Sequence, residues 1–177
     1  MAAETIDQIA WAAAVLTAAV AAVFDFREGR IPNWLVYTSL VLALGFFTFT
    51  TGLEGFSSAA IGAVTGGAVF FVLFLAGAGG GGDVKLFAAL GGWLFAAHVL
   101  EVCVYAIMAT AMYALTRLTW QGKLGKTLKN SFWLFANVFL PKSKKKELKS
   151  ETLELVRLGP PTLVGAVAAA WLHFSGS

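Results

Sequence analysis

Gly77-Ala78-Gly79-Gly80-Gly81-Gly82-Asp83-Val84-Lys85-Leu86 sets a carboxylate and an ammonium at the end of a glycine run, with long apolar sequence on both sides. An ionisable group in such surroundings is costly, and it is tolerated where the chain reaches a membrane surface or lines a polar cavity. Backbone outside a helix is confined to the same places at membrane depth. The glycines suit an unwound, closely packed backbone. A flexible linker would run on into polar sequence, whereas this run is short and abuts Asp-Val-Lys-Leu. A phosphate loop would need Gly-Lys-Ser/Thr next, and none follows.

Of the 177 residues, 58% are hydrophobic and 13% charged, where a soluble domain carries roughly 25% charged residues. The chain therefore reads as an all-α membrane protein, a bundle of about six transmembrane helices forming a single domain over residues 1–177. Its formal net charge of +3 does not point to nucleic acid, because the cations gather in loops beside apolar segments, which is the pattern of membrane orientation. Cys103 is the one cysteine, so an internal disulfide and a Cys-x-x-C zinc site are excluded, and its apolar neighbours make it a packed small residue. No cofactor or metal-ligand pattern stands out.

Glu4 and Asp7 precede the apolar run Ile9–Phe24, where a cleavable signal peptide would begin with Lys or Arg, so a retained first span is expected. Asp25-Phe26-Arg27-Glu28-Gly29-Arg30 follows as a loop, and its arginines place the N-terminus outside and Asp25 at the cytoplasmic surface. Ile31-Pro32-Asn33 restarts the chain, proline being tolerated in a first helical turn. Spans are expected near 34–50 and 59–76, joined by the cation-free turn 51–58. Gly62, Gly66 and Gly67 would permit close helix contact. Residues 84–118 are expected to form two short spans turning near His98-Val99-Leu100-Glu101, because Arg117 then returns to the side of Arg27 and Arg30. No second His or Cys lies at helical spacing from His98, which reads as a headgroup-level residue rather than a ligand.

Residues 117–157 hold ten of the thirteen Lys and Arg, so the stretch 119–157 is expected to be a basic cytoplasmic loop. Within it Leu128, Phe132, Phe135 and Phe139 recur at helical spacing up to Pro141, as in an interfacial amphipathic helix. The Lys142–Lys149 cluster either completes the solvated face or is drawn to anionic lipid, at about 1 kcal/mol per cation near the surface. A last span, 158–174, is entered through Gly159-Pro160-Pro161 and leaves His173 outside. In this topology every Lys and Arg is cytoplasmic.

Asp25 would then open the second span and Asp83 the fourth, both facing the cytoplasm although 58 positions apart. Two carboxylates sharing a water and a proton supply an acid and a base at once, since like charges held close split the titration of the pair. One form takes a proton from water while the other polarises a peptide carbonyl, with no metal or thiol required. Two alternatives remain open on spacing alone: separate aspartates capping the helices they precede, and a small carrier or channel subunit in which Asp25 and Asp83 relay protons or bind a cation.

Asp25-x5-Ile31-Pro32-Asn33, together with Gly80-Gly81-Gly82-Asp83-Val84-Lys85-Leu86 and the following Ala88-Ala89-Leu90-Gly91-Gly92-Trp93, resembles the two signatures of the type IV prepilin peptidases. The second is similar to the Gly-x-Gly-Asp motif of membrane aspartic proteases. The resemblance covers roughly residues 20–95 and implies that Asp25 and Asp83 are a catalytic pair, with Ile31, Pro32, Asn33, Gly80, Gly82 and Lys85 in the supporting motifs. It also implies prepilin or pseudopilin substrates, whose basic leader is cut at the cytoplasmic face of the inner membrane of a prokaryote, usually after glycine and before an apolar helix. Larger members of the family add a cytoplasmic domain with paired cysteines and methylate the new N-terminus. This sequence shows neither feature, and it looks more like the short, peptidase-only members associated with Flp-type pili. A homo-oligomer is compatible with the sequence, and Lys85 either tunes Asp83 or binds lipid phosphate.

The one-sided placement of Lys and Arg makes the topology testable with single cysteines in a Cys103→Ser background. Lys145→Cys should stay unlabelled by an impermeant thiol reagent in intact cells and react after lysis; labelling in intact cells would exclude six spans with external termini.

Overall fold

The computed structural model describes residues 2–76, 79–120 and 159–176. They form four helical runs, α1 (Ala2–Glu28), α2 (Asn33–Leu75), α3 (Gly81–Trp120) and α4 (Gly159–Ser175), and no strand occurs among the described residues. Contacts divide the chain into two units, Met1–Thr110 with Arg157–Ser177, and Ala111–Val156, of which residues 111–120 are described as helix. The basic loop, its expected interfacial helix and the Lys142–Lys149 cluster lie otherwise outside the described residues.

In α1, Ala10, Ala14, Ala18 and Ala21 recur every three or four positions and are buried, so one narrow face of small side chains meets the bundle. The helix does not stop at the charged run. It continues through Asp25 to Glu28 and ends where Gly29 adopts φ 68°, its N–H bonding the Asp25 carbonyl at 3.0 Å. A glycine in the left-handed region is the usual helix stop. Asp25 is thus in the last turn of α1, and not, as expected, in a loop opening the next span.

Two of the runs contain a break. Gly52 in α2 has φ 70° and ψ −148°, and Phe95 in α3 has φ 57° and ψ 178°. Asn33 meets Lys85, and Ser39 and Phe47 meet Trp93, so residues 33–51 and 81–94 run in the same direction. Gly66 faces Phe87 and Gly62 faces Gly91, so residues 53–75 run the opposite way and the chain reverses at Gly52. Val99 also borders Gly66, which doubles the chain back at Phe95. The expected turns near 51–58 and 98–101 are therefore sharper and earlier. Leu53–Ser58 and His98–Glu101 are helical. A left-handed φ is natural for Gly52 but strained for Phe95, whose ring packs on Phe47 with centroids 4.5 Å apart.

Lipid tails are as apolar as leucine, so helices in a bilayer associate through packing and hydrogen bonds rather than hydrophobic exclusion. The packing here is backbone on backbone. A Cβ on Gly62 would land on the Gly91 carbonyl, one on Gly66 on the Phe87 carbonyl, and one on Gly165 of α4 would reach Ala106 N at 2.7 Å. Phe70 stacks on Phe87, with centroids 3.6 Å apart. Ser39 Oγ lies 2.9 Å from Thr17 Oγ1 and accepts from Trp93 Nε1 at 3.0 Å, a buried polar link between α1, α2 and α3. Many other large apolar side chains point outward, Phe49 being 92% exposed and Leu53 83%. So much exposed apolar surface is foreign to a soluble protein. With α1, α2 and α3 each long and apolar enough to cross a bilayer, the chain is a membrane protein.

Gly62→Ala should lower the unfolding midpoint in detergent, at a cost of about 1–3 kcal/mol for forcing an overpacked contact. Gly45→Ala, where a Cβ meets open space, should leave the midpoint unchanged or raise it. Equal midpoints for the two variants would contradict the close Gly62–Gly91 approach.

Candidate active site

Asp83 is placed by the start of α3. Gly79 and Gly80 are non-helical, Gly81 begins the helix, and Asp83 is its third residue, so the glycine run is only partly unwound. Asp83 Oδ2 accepts from the Gly80 N–H at 2.9 Å, while the Asp83 N–H donates to the Gly80 carbonyl at 3.1 Å. The first bond is one half of a capping box, with aspartate in the usual Glu position; Gly80 has no side chain to make the other half, and its carbonyl takes the Asp83 N–H instead. The side chain is 9% exposed.

Asp25, 7% exposed, is held from a different quarter of the chain. Its Oδ2 accepts from the backbone N–H of Gly159, the first residue of α4, at 3.0 Å. The first amides of a helix have no intrahelical acceptor and carry the positive end of its dipole, so a carboxylate fits there.

The two segments that carry the aspartates are in contact. A Cβ on Gly82 would lie 3.5 Å from the Ile31 side chain. Lys85 Nζ donates to Asn33 Oδ1 at 3.1 Å and sits 5.8 Å from the centre of the Tyr37 ring. Pro32, extended at φ −65° and ψ 135°, is the residue before α2 rather than within its first turn. Asp25 and Asp83 themselves are close enough for the charge of one to act on the other. Ile31, Asn33, Gly80, Gly82, Lys85 and both aspartates are thus gathered at one place, although spacing left capping aspartates as an equal alternative. Capping is part of the outcome: Asp83 caps its own helix, and Asp25 caps α4 instead of the helix that follows it.

Each carboxylate has Oδ2 engaged by a glycine N–H, and Oδ1 of each has no protein partner among the described residues. Two carboxyls within reach of each other's charge, each with an oxygen to spare, have the chemistry to hold one water and pass one proton between them. Among the described residues no group of three or more His, Cys, Asp or Glu is arranged to hold a metal.

Two features escaped the sequence. The Gly159 amide is invisible to a search for side chains, 134 positions from its acceptor. His98 and His173, expected as separate surface residues, lie with ring centroids 4.9 Å apart and share Trp11, while His173 Nε2 is 2.8 Å from Asp7 Oδ2. Asp7 precedes Asp25 by eighteen positions on α1, about 27 Å at 1.5 Å per residue. That cluster is therefore remote from the aspartates.

The sequence profile of the type IV leader peptidase family matches residues 12–115. No curated protein and no solved structure matches the chain. The matched region takes in both aspartates and both motifs, and it stops short of α4.

The Asn33–Lys85 contact is exposed, so it should add little to stability. A double-mutant cycle on Asn33→Ala and Lys85→Met, read by thermal unfolding, should give a coupling below about 1 kcal/mol. A coupling of several kcal/mol would mean that this contact, and not the glycine interfaces, holds the two segments together.

Proposed function

The chain belongs to the type IV leader peptidase family, and from that premise we propose that it is a membrane aspartic endopeptidase that removes the basic leader of prepilin or pseudopilin substrates. The observation that carries this proposal is that Asp25 and Asp83 are both buried, near enough for the charge of one to act on the other, and each has one oxygen tied to a backbone amide and one left over. One aspartate, as the carboxylate, takes a proton from water while the water oxygen attacks the scissile carbonyl carbon. The other, protonated, gives its proton to the carbonyl oxygen. Collapse of the tetrahedral diol returns a proton to the departing nitrogen and breaks the C–N bond. The products are a leader ending in a carboxylate and a pilin with a free amine, and only water is consumed.

We place the pair at the cytoplasmic face of a prokaryotic inner membrane, since Arg27, Arg30 and Lys85 lie on the same side as the aspartates. The reversals at Gly52 and Phe95 support counting α2 and α3 as two crossings each, which with α1 and α4 makes six. Residues 81–94 are the shortest of these, about 21 Å long at 1.5 Å per residue against about 30 Å of hydrocarbon. The aspartates would therefore sit slightly inside the membrane surface, where an apolar substrate helix and its polar leader meet. Lys142–Lys149 would add affinity for anionic lipid, and the pilin product would remain unmethylated.

Asp25→Asn and Asp83→Asn should each abolish processing of a co-expressed prepilin, read by gel shift, while membrane levels hold. Asparagine keeps the shape and accepts the same backbone bond but cannot take up the proton of water. The double variant should be hardly worse than either single one, because the groups act as a unit. Glu28→Gln, three positions away and paired on the surface with Arg30, should process normally. Wild-type processing by Asp83→Asn would remove the protease assignment and favour a proton or cation carrier. Purified protein should also keep its activity in a chelator; loss restored by a single divalent ion would overturn the two-carboxylate mechanism.

A further inference from the structure

We propose that the backbone amide of Gly159 is a positioning group for Asp25, and that the start of α4 is accordingly a third component of the active site. This inference rests on the catalytic assignment of Asp25 above. It extends the site beyond the region covered by the family profile and by either motif.

Three observations converge on it. The first is the bond itself, Gly159 N–H to Asp25 Oδ2 at 3.0 Å, fully inside the protein. The second is what surrounds the donor. Helix α4 begins Gly159-Pro160-Pro161, and proline has no N–H. Of the first three residues, Gly159 alone offers a donor, and that donor is aimed at Asp25. A helix start ordinarily presents several unpaired amides to any nearby acceptor; here two are deleted, so the carboxylate has one partner and one orientation. The third is the room. A Cβ on residue 159 would lie 2.6 Å from Asp25 Cβ and 2.8 Å from Oδ2. No residue but glycine can bring its amide this close.

The pattern repeats at the other aspartate, where Gly80 N–H holds Asp83 Oδ2 at 2.9 Å. Each carboxylate is gripped by Oδ2 and presents Oδ1. A backbone amide suits this task because it carries no proton that titrates, so it cannot exchange roles with the acid or base it orients. A hydrogen bond to a carboxylate is also stronger than one between neutral groups. Rotation of Asp25 about its own side-chain bonds would carry Oδ1 away from the shared water, and misplacement by about 1 Å can cost roughly a hundredfold in rate.

If the bond were only a helix cap, its loss would lower stability and spare turnover, and this sets the test. Full-length protein is made by cell-free translation into lipid nanodiscs, with a suppressor tRNA carrying glycolic acid at position 159. The resulting ester removes the N–H, adds no Cβ, and costs α4 no internal bond. The substrate is a synthetic peptide with a basic leader ending in glycine followed by an apolar helix, in the same discs. The same tRNA carrying glycine is the reference and should restore wild-type kinetics. The ester should lower kcat at least about tenfold, as expected for losing a hydrogen bond to a charged group, with KM within about twofold, at a temperature where the ester protein, its unfolding midpoint modestly lowered by the lost cap, is still fully folded. Gly159→Ala, which pushes directly on Asp25, should lower kcat further.

Wild-type kcat in the ester, or a loss that merely tracks a lower midpoint, overturns the positioning role. Asp25→Asn, assayed in the same discs, separates the two levels of the claim. If it is inactive and the ester is normal, only the role of Gly159 fails; if it turns over like wild type, the catalytic assignment fails and the positioning role with it.

Discussion

The contact of Gly62 with Gly91, backbone against backbone, is the constraint from which the site takes its position. In a bilayer nothing squeezes helices together for being apolar, so their separation is set by how small their facing side chains are. Glycine at both positions lets residues 53–75 and 81–94 touch, and Gly66 against Phe87 extends the contact one turn further. Residues 81–94 are thereby pinned between the two halves of α2, one running parallel and one antiparallel. Asp83 stands at the start of that pinned segment. The Ser39 link to Thr17 and Trp93 then brings α1, and with it Asp25, into the same frame.

Burying two carboxylates near one another is unfavourable on two counts, lost hydration and mutual repulsion. Among the described residues, the partners that offset this are backbone donors and not cations. Lys85, two positions from Asp83, is engaged with Asn33 and Tyr37. A paired lysine would hold a carboxylate in its charged form. Amide donors leave the pair able to share a proton, which is what a general acid and base acting in turn require.

How much was legible in advance depended on the kind of signal. The ionisable residues in an apolar chain marked Asp25 and Asp83, and the two motifs joined them into a pair. Helical character followed from the apolar runs. Boundaries were less legible: a charged run looked like a loop, yet α1 continues through Asp25 because Gly29, not Arg27 or Glu28, supplies the left-handed turn. The turn placed at His98–Glu101 falls at Phe95, a residue that no turn propensity would select. There a strained backbone is held in place with its ring packed on Phe47.

By itself, the sequence determined that this is a helical membrane protein, which carboxylates stand among its apolar runs, and which glycines would allow close approach. Those properties live in single residues and short spacings: hydropathy, charge, the absence of a side chain. Tertiary structure alone decided which oxygen of each aspartate a backbone amide holds, that the amide of Gly159 grips Asp25, and that His98, His173 and Asp7 gather far from the site. Such facts depend on the path of the backbone between residues as distant as 25 and 159. A backbone N–H is common to every residue except proline, so nothing in the identity of glycine announces what its amide will meet. Only the packing of α4 against α1 brings that donor to that carboxylate.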